Sequence, residues 1–263
     1  MPRLTQMFEI LSKARALVAK CEISEPPVDL AKLATHQGIR DIRVDDSVLN
    51  GDLRRLKSGG YAVRLDARDS EERRRFTLAH EIAHTFLHES DTSNSNFGCD
   101  DTDVEDLCDL AAAELLIPDT LLRRRNFAMD IESILQAARE FRCSMEAAAW
   151  KLLNSADHKG ALLIWNIQRI SPKVIVRLVA MPRTLTLQLP FARGATISDS
   201  DPNWASVAVG RSEHVELRSY SGVSYSGERK QLGKNTIVIL LRLSKTITKR
   251  DGERQALLFG RTS

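Results

Sequence analysis

The sequence predicts an α+β fold built in two parts. Three observations carry that expectation: helical periodicity dominates residues 1–157, strand-like runs dominate residues 158–263, and the net charge changes sign between them. The chain has 263 residues with 38 Lys+Arg and 35 Asp+Glu, a formal charge of +3. Residues 158–263 hold 17 basic and 7 acidic side chains, which leaves 21 and 28 in the first 157. A basic unit therefore follows an acidic one, and charge steps of this kind suggest different partners for each.

The elements follow in order. Leu4, Met7, Phe8, Leu11, Ala14, Leu17 and Val18 recur at helical spacing, so the chain opens with an amphipathic helix. Pro26 and Pro27 break it, and 28-VDLAKLATHQGI-39 predicts a short helix ended by Gly38. Short alternating runs come next, 39-IRDIRV-44 and 51-GDLRRL-56, and a Ser-Gly-Gly turn leads into 61-YAVRLD-66 as a hairpin. Helix resumes over 70-SEERRRFTLAHEIAHTFLH-88, with Ser70 as N-cap and acidic residues in the first turn. The polar stretch 90–103 reads as a loop, Val104–Leu116 as a helix stopped by Pro118, and residues 119–127 and 130–154 as further helices, the last bent at Arg142–Ser144. Strands are expected at 161–167, 173–181, 184–190, 205–210, 214–220 and 236–243.

Composition excludes some classes. No run reaches the ~20 apolar residues that a membrane helix needs. The N-terminus has no apolar core or cleavage site of a secretory signal, and the four cysteines (Cys21, Cys99, Cys108, Cys143) are too irregular for a disulfide framework. A cytoplasmic protein without membrane attachment is expected.

The chemistry concentrates in 80-HEIAH-84. A helix puts residues i and i+4 on one face, so His80 and His84 can reach one cation. Glu81 is turned ~100° from His80, beside the cation rather than on it, where it can take a proton from bound water. The apolar flanks Phe76, Leu78, Ala79, Ile82, Ala83 and Phe86 would bury the histidines, and a cation would relieve the cost of burying them unsatisfied. A hydrolytic zinc takes three protein ligands and keeps one position open. The following helix offers Glu105 and Asp109, four residues apart on one face, with Glu114 roughly 180° away from Glu105. Glu105 is the expected third ligand, and Asp109 the acceptor that fixes the tautomer of a ligand histidine. The other reading makes both acids a solvated face. His88 continues the i+4 series, but lies ~12 Å along the helix from His80, too far to share a cation. Cys108 faces nearly the same way as Glu105, either as a redox-sensitive thiol or as an ordinary buried cysteine.

The runs 28-VDLAKLATHQGI-39, 59-GGYAVRLDARDSEERRRFTLAHEIAHTFLH-88 and 105-EDLCDLAAAELLIP-118 closely resemble the ImmA/IrrE metallo-endopeptidases. The pattern of that family reads as a leading helix, a strand, FTLAHExxHxxLH and a later ExxAN-x-FAAELLMP. The resemblance spans about residues 27–155 and departs at Cys108 for Ala, Asp109 for Asn and Ala111 for Phe. It implies a zincin-like metallopeptidase domain over 1–118, a helix-turn-helix-like extension over 119–157, and a β-rich basic unit over 158–263, where some relatives carry a GAF-like sensor. By matched position it makes His80, His84 and Glu105 the metal ligands and Glu81 the general base. The cofactor implied is Zn²⁺, with Mn²⁺ as the alternative. The partner implied is a helix-turn-helix repressor of the phage or XRE type, cut when a stress or other signal arrives. The strand 61–66 would be the edge strand to which an extended substrate adds, with Tyr61 as a candidate oxyanion partner.

A rival reading is a DNA-binding regulator with a latent metal site. It rests on the basic C-terminal unit and on the helix-turn-helix length of 131–154, though cations are sparse between 143 and 157. The arginine runs 73–75 and 123–125 read as solvated helix faces, and Trp150, Trp165 and Trp204 as core anchors.

Overall fold

The computed structural model describes residues 4–49, 51–88, 101–155, 160–168, 173–180, 196–198, 213–218, 224–234 and 236–242. The chain divides into two compact units, Met1–Ser155 and Ala156–Ser263. Several expectations lie outside the described residues: the strands 184–190 and 205–210, most of the 90–103 loop, Cys99, Trp204 and the side chains of His88 and Trp165.

The first unit runs α1 (Leu4–Lys20), α2 (Leu30–His36), β1 (Ile39–Asp45), β2 (Gly51–Arg55), β3 (Tyr61–Asp66), α3 (Glu71–His88), α4 (Asp101–Leu116), α5 (Asp119–Arg125), α6 (Ile131–Phe141) and α7 (Met145–Ser155). Local chemistry sets the helix starts. Asp29 accepts from the Lys32 amide at 3.0 Å to cap α2, Ser70 accepts from Arg73 at 3.2 Å to cap α3, and Asp130 accepts from Ser133 at 2.7 Å to cap α6. Gly38, at φ +77°, lets the chain leave α2 and enter β1. Arg142 turns left-handed at φ 51° and separates α6 from α7 at the bend the sequence predicts. Two details differ. Residues 101–103 are helical rather than loop, and Leu4 and Phe8 of α1 stay exposed while Ile10, Ala14, Leu17 and Val18 are buried. The buried stripe thus starts one turn later than periodicity suggests.

The three strands form a sheet in the order β1-β3-β2. The turn at Ser58–Gly60 joins β2 and β3 antiparallel, closed by Leu56 N–H to the Gly60 carbonyl at 2.9 Å. β1 pairs parallel to the other side of β3. The 61–66 strand is therefore central, with Val63 and Leu65 buried, and not the edge strand expected from sequence. That correction has a nonlocal cause: β1 takes the second side of β3 and leaves β2 as the edge next to α3.

α3 and α4 pack together, and both are rich in buried apolar residues: Leu78, Ala79, Ile82, Ala83 and Phe86 on one, Leu107, Ala111 and Leu115 on the other. A buried ionic group fixes α4 from behind. Glu114 on α4 is bound by Lys151 of α7 and by Arg15 Nε of α1 at 3.2 Å. Asp119 at the start of α5 binds Arg15 at 2.7 Å and Lys151 at 2.9 Å. Four helices are thus tied through one cluster, and α5–α7 belong to the same compact unit as the histidine helix.

In the second unit the described strands are β4 (Gly160–Gln168), β5 (Lys173–Ala180), β6 (Thr196–Ser198), β7 (His214–Arg218), β8 (Ser224–Leu232) and β9 (Thr236–Arg242). They form one antiparallel sheet in the order β6-β5-β4-β9-β8-β7. Consecutive residues Ala161–Ile164 and Ile237–Leu241 are buried, so both faces are covered at the sheet's centre. No described helix is long and apolar enough to cross a membrane.

Candidate metal centre

The helical spacing of α3 puts His80 and His84 one turn apart, and their Nε2 atoms face each other at 3.0 Å. α4 supplies the opposite wall. Glu105 Oε2 lies 3.1 Å from His80 Nε2, and Oε1 lies 3.6 Å from His84 Nε2. Asp109, one turn on, accepts from His80 Nδ1 at 2.9 Å. That bond places the ring proton on Nδ1 and leaves the Nε2 lone pair for the other three atoms. Two imidazole nitrogens and a carboxylate then converge on one point. A cation suits that arrangement, because separations of 3.0–3.6 Å match donors that each bind one ion at ~2.0–2.2 Å. The donor set therefore fits zinc, and the two nitrogens favour it over manganese.

The electrostatics agree. Burial opposes the His80 imidazolium, yet Asp109, Glu105 and Glu81 outweigh it and raise its pKa. The site favours positive charge. Glu81 is only 8% exposed, and burial, opposed by His80 and reinforced by Glu105 and Asp52, pushes its pKa up to about 7. A carboxyl poised there can accept a proton at neutral pH.

These groups line a cleft of about 600 Å³ together with Gly51, Asp52, Leu53, Arg73, Phe76 and Thr77. Edge strand β2 forms one wall. Asp52 is held by Arg64 Nη2 at 2.7 Å and by Arg54 Nε at 2.6 Å, which keeps its carboxyl below the usual range. The Arg73 guanidinium lies over the Phe76 ring at 5.7 Å. Tyr61 does not line the cleft.

The structure thus brings His80, Glu81, His84, Glu105 and Asp109 to one place, and leaves Glu114 in its own cluster behind α4. Sequence reasoning assigned no site role to six cleft residues, Leu53 of β2 among them. Arg73, Phe76 and Thr77 were within reach, because they stand three, four or seven residues before His80 or Glu81 on nearby helix faces. Gly51 and Asp52 carry no local signal. The sequence expects the histidines to be buried by their apolar flanks; they are instead partly open, at 15% and 22% side-chain exposure, as a site that admits substrate requires.

Comparison with known proteins places this geometry. Among curated proteins, none matches the chain significantly. A solved Mycobacterium tuberculosis transcriptional regulator shares the fold, with a TM-score of 0.55 at 15% identity, over 89% of this chain and 76% of that one. The family described as Peptidase_M78, the IrrE N-terminal-like domain, matches residues 34–153, from α2 through α7 and including every residue of the convergent cluster. Residues 34–153 of the first unit are thus similar to the IrrE N-terminal-like domain of the Peptidase_M78 family.

Proposed function

We propose that the chain is a zinc-dependent endopeptidase that inactivates a helix-turn-helix transcriptional repressor. The observation that supports it most is the convergence of His80, His84 and Glu105 on the floor of a cleft, with Glu81 beside them and an edge strand above. His80, His84 and Glu105 would hold the metal, which when bound polarises a peptide carbonyl and acidifies water. Asp109 fixes the His80 ring. Glu81 takes the proton of the attacking water and returns it to the leaving amine. β2 is an edge of the described sheet and lines the cleft beside Glu81, so an extended substrate can add to it.

The substrate assignment rests on resemblance to the ImmA/IrrE peptidases. The basic C-terminal unit is assigned a regulatory role, recruiting a partner or transmitting a signal. DNA binding through α6–α7 is less well supported: the one cation of α7, Lys151, is buried against Glu114 and Asp119 and cannot meet phosphates.

The deciding experiment incubates the purified full chain and zinc with helix-turn-helix repressors and maps cuts by mass spectrometry. A discrete cut that is lost on chelation and in Glu81→Gln is expected. Zinc-loaded protein that cuts no repressor but cuts another protein would remove the substrate assignment and keep the peptidase.

A further inference from the structure

Glu105, Cys108 and Asp109 stand at i, i+3 and i+4 on α4, so one helix face presents all three toward α3. Two of them already engage the histidines. The third is completely buried, and its Sγ lies with a donor nitrogen of His80 and one of His84 in a group whose atoms are all within 4.8 Å of one another. The sulfur adds a third possible donor beside the two histidines.

We propose that Cys108 is a fourth protein ligand to the cation held by His80, His84 and Glu105, and that its thiolate closes the position a hydrolytic water needs. The inference rests on the metallopeptidase reading above and concerns the regulation of that site. On ligation the S–H bond breaks, the sulfur gives an electron pair to the cation, and the proton leaves to solvent. Three protein ligands and an open position make a hydrolytic zinc, and four protein ligands make a closed one. The chain with Cys108 engaged is therefore slowed rather than silent, and it cuts through the minor population in which a proton has returned to the sulfur and water has taken its position. Bond lengths of ~2.3 Å to sulfur and ~2.0–2.1 Å to nitrogen put the two about 3.6 Å apart around a tetrahedral ion. The three donor atoms lie within 4.8 Å of one another, and side-chain rotation on α4 has to close what remains of that gap on metal entry.

The test loads the full chain with Co²⁺ and reads its absorption. Wild type should show a near-ultraviolet sulfur-to-cobalt charge-transfer band, and Cys108→Ala and Cys108→Ser should lose it while keeping one cobalt per chain. Acetohydroxamate should leave the visible spectrum of wild type unchanged and alter that of Cys108→Ala, because only the variant has a free position. Bound cobalt without the band overturns ligation by Cys108 and leaves the three-ligand site standing. The band together with a hydroxamate response in wild type overturns closure. Failure of wild type to bind cobalt, or equal binding by His84→Ala, overturns the metallopeptidase reading and this inference with it. If neither cysteine variant folds, zinc-edge X-ray absorption of wild type decides. One sulfur scatterer at ~2.3 Å supports the inference, and a shell of nitrogen and oxygen alone removes it.

Discussion

Gly51 and Glu81 meet where β2 crosses α3: a Cβ at Gly51 would stand 2.6 Å from Glu81 Oε1 and 2.3 Å from Thr77 Cγ2. No larger residue fits unless Thr77 and the Glu81 carboxylate both give way or the strand shifts. Gly51→Ala should therefore keep its metal and lose about a hundredfold in cleavage rate, the scale expected for displacing a catalytic group by ~1 Å. Metal analysis beside a kinetic assay checks it, and full activity in the variant would mean that Gly51 does not set the position of Glu81.

Glu81→Gln removes the proton acceptor and none of the metal donors. The variant should fold and carry wild-type metal while turnover falls by about 10²–10⁴, the usual contribution of a general base. Elemental analysis and single-turnover cleavage measure the two halves of this expectation. Undiminished cleavage would show the mechanism to be wrong.

Two glutamates on α4 separate the site from its scaffold. Glu105→Ala should lose metal affinity with little change in stability, since the side chain is 59% exposed. Glu114→Ala should do the reverse. Removing Glu114 leaves buried Lys151 with Asp119 alone, so the loss should fall below the ~3–5 kcal/mol of a fully broken buried pair. Denaturant melts and metal titrations on both variants test the pair, and metal loss confined to Glu114→Ala would reassign the third ligand.

Asp119 gives the acid limb of stability. Burial raises its pKa, but Lys151 and Arg15 outweigh burial and hold it below the usual aspartate value. A lowered folded pKa means that stability from this group is full above the unfolded value of about 3.9 and is lost as pH falls through the folded one. Asp119→Asn should be destabilised at neutral pH, and its stability should fall less steeply below about pH 4 than that of wild type. Parallel acid limbs in the two proteins would show that Asp119 does not carry this term.

The two-unit division makes a further expectation. Limited proteolysis should cut near 155–160, and the fragment 1–155, which contains every residue of the convergent cluster, should bind metal as the full chain does. An insoluble or metal-free fragment would mean that the units share a core.

Sequence by itself determined what is local. His80, Glu81 and His84 were legible because an α-helix fixes the angle between near neighbours, and the same geometry put Glu105 and Asp109 on one face. Ser70 marked a helix start because a cap bonds within three residues of itself, and Asp29 and Asp130 proved to cap α2 and α6 in the same way. Tertiary structure alone decided which strand became the edge, since β3 had to take β1 on one side and β2 on the other, and strand partners are chosen across the chain. It alone set Gly51 against Glu81 and enclosed Glu114 between Arg15 and Lys151, residues 99 and 37 positions away. Strand β8, 224-SYSGERKQL-232, makes the same point in the second unit. Its sequence has little apolar alternation, and it is a strand because β7 and β9 satisfy its backbone from both sides.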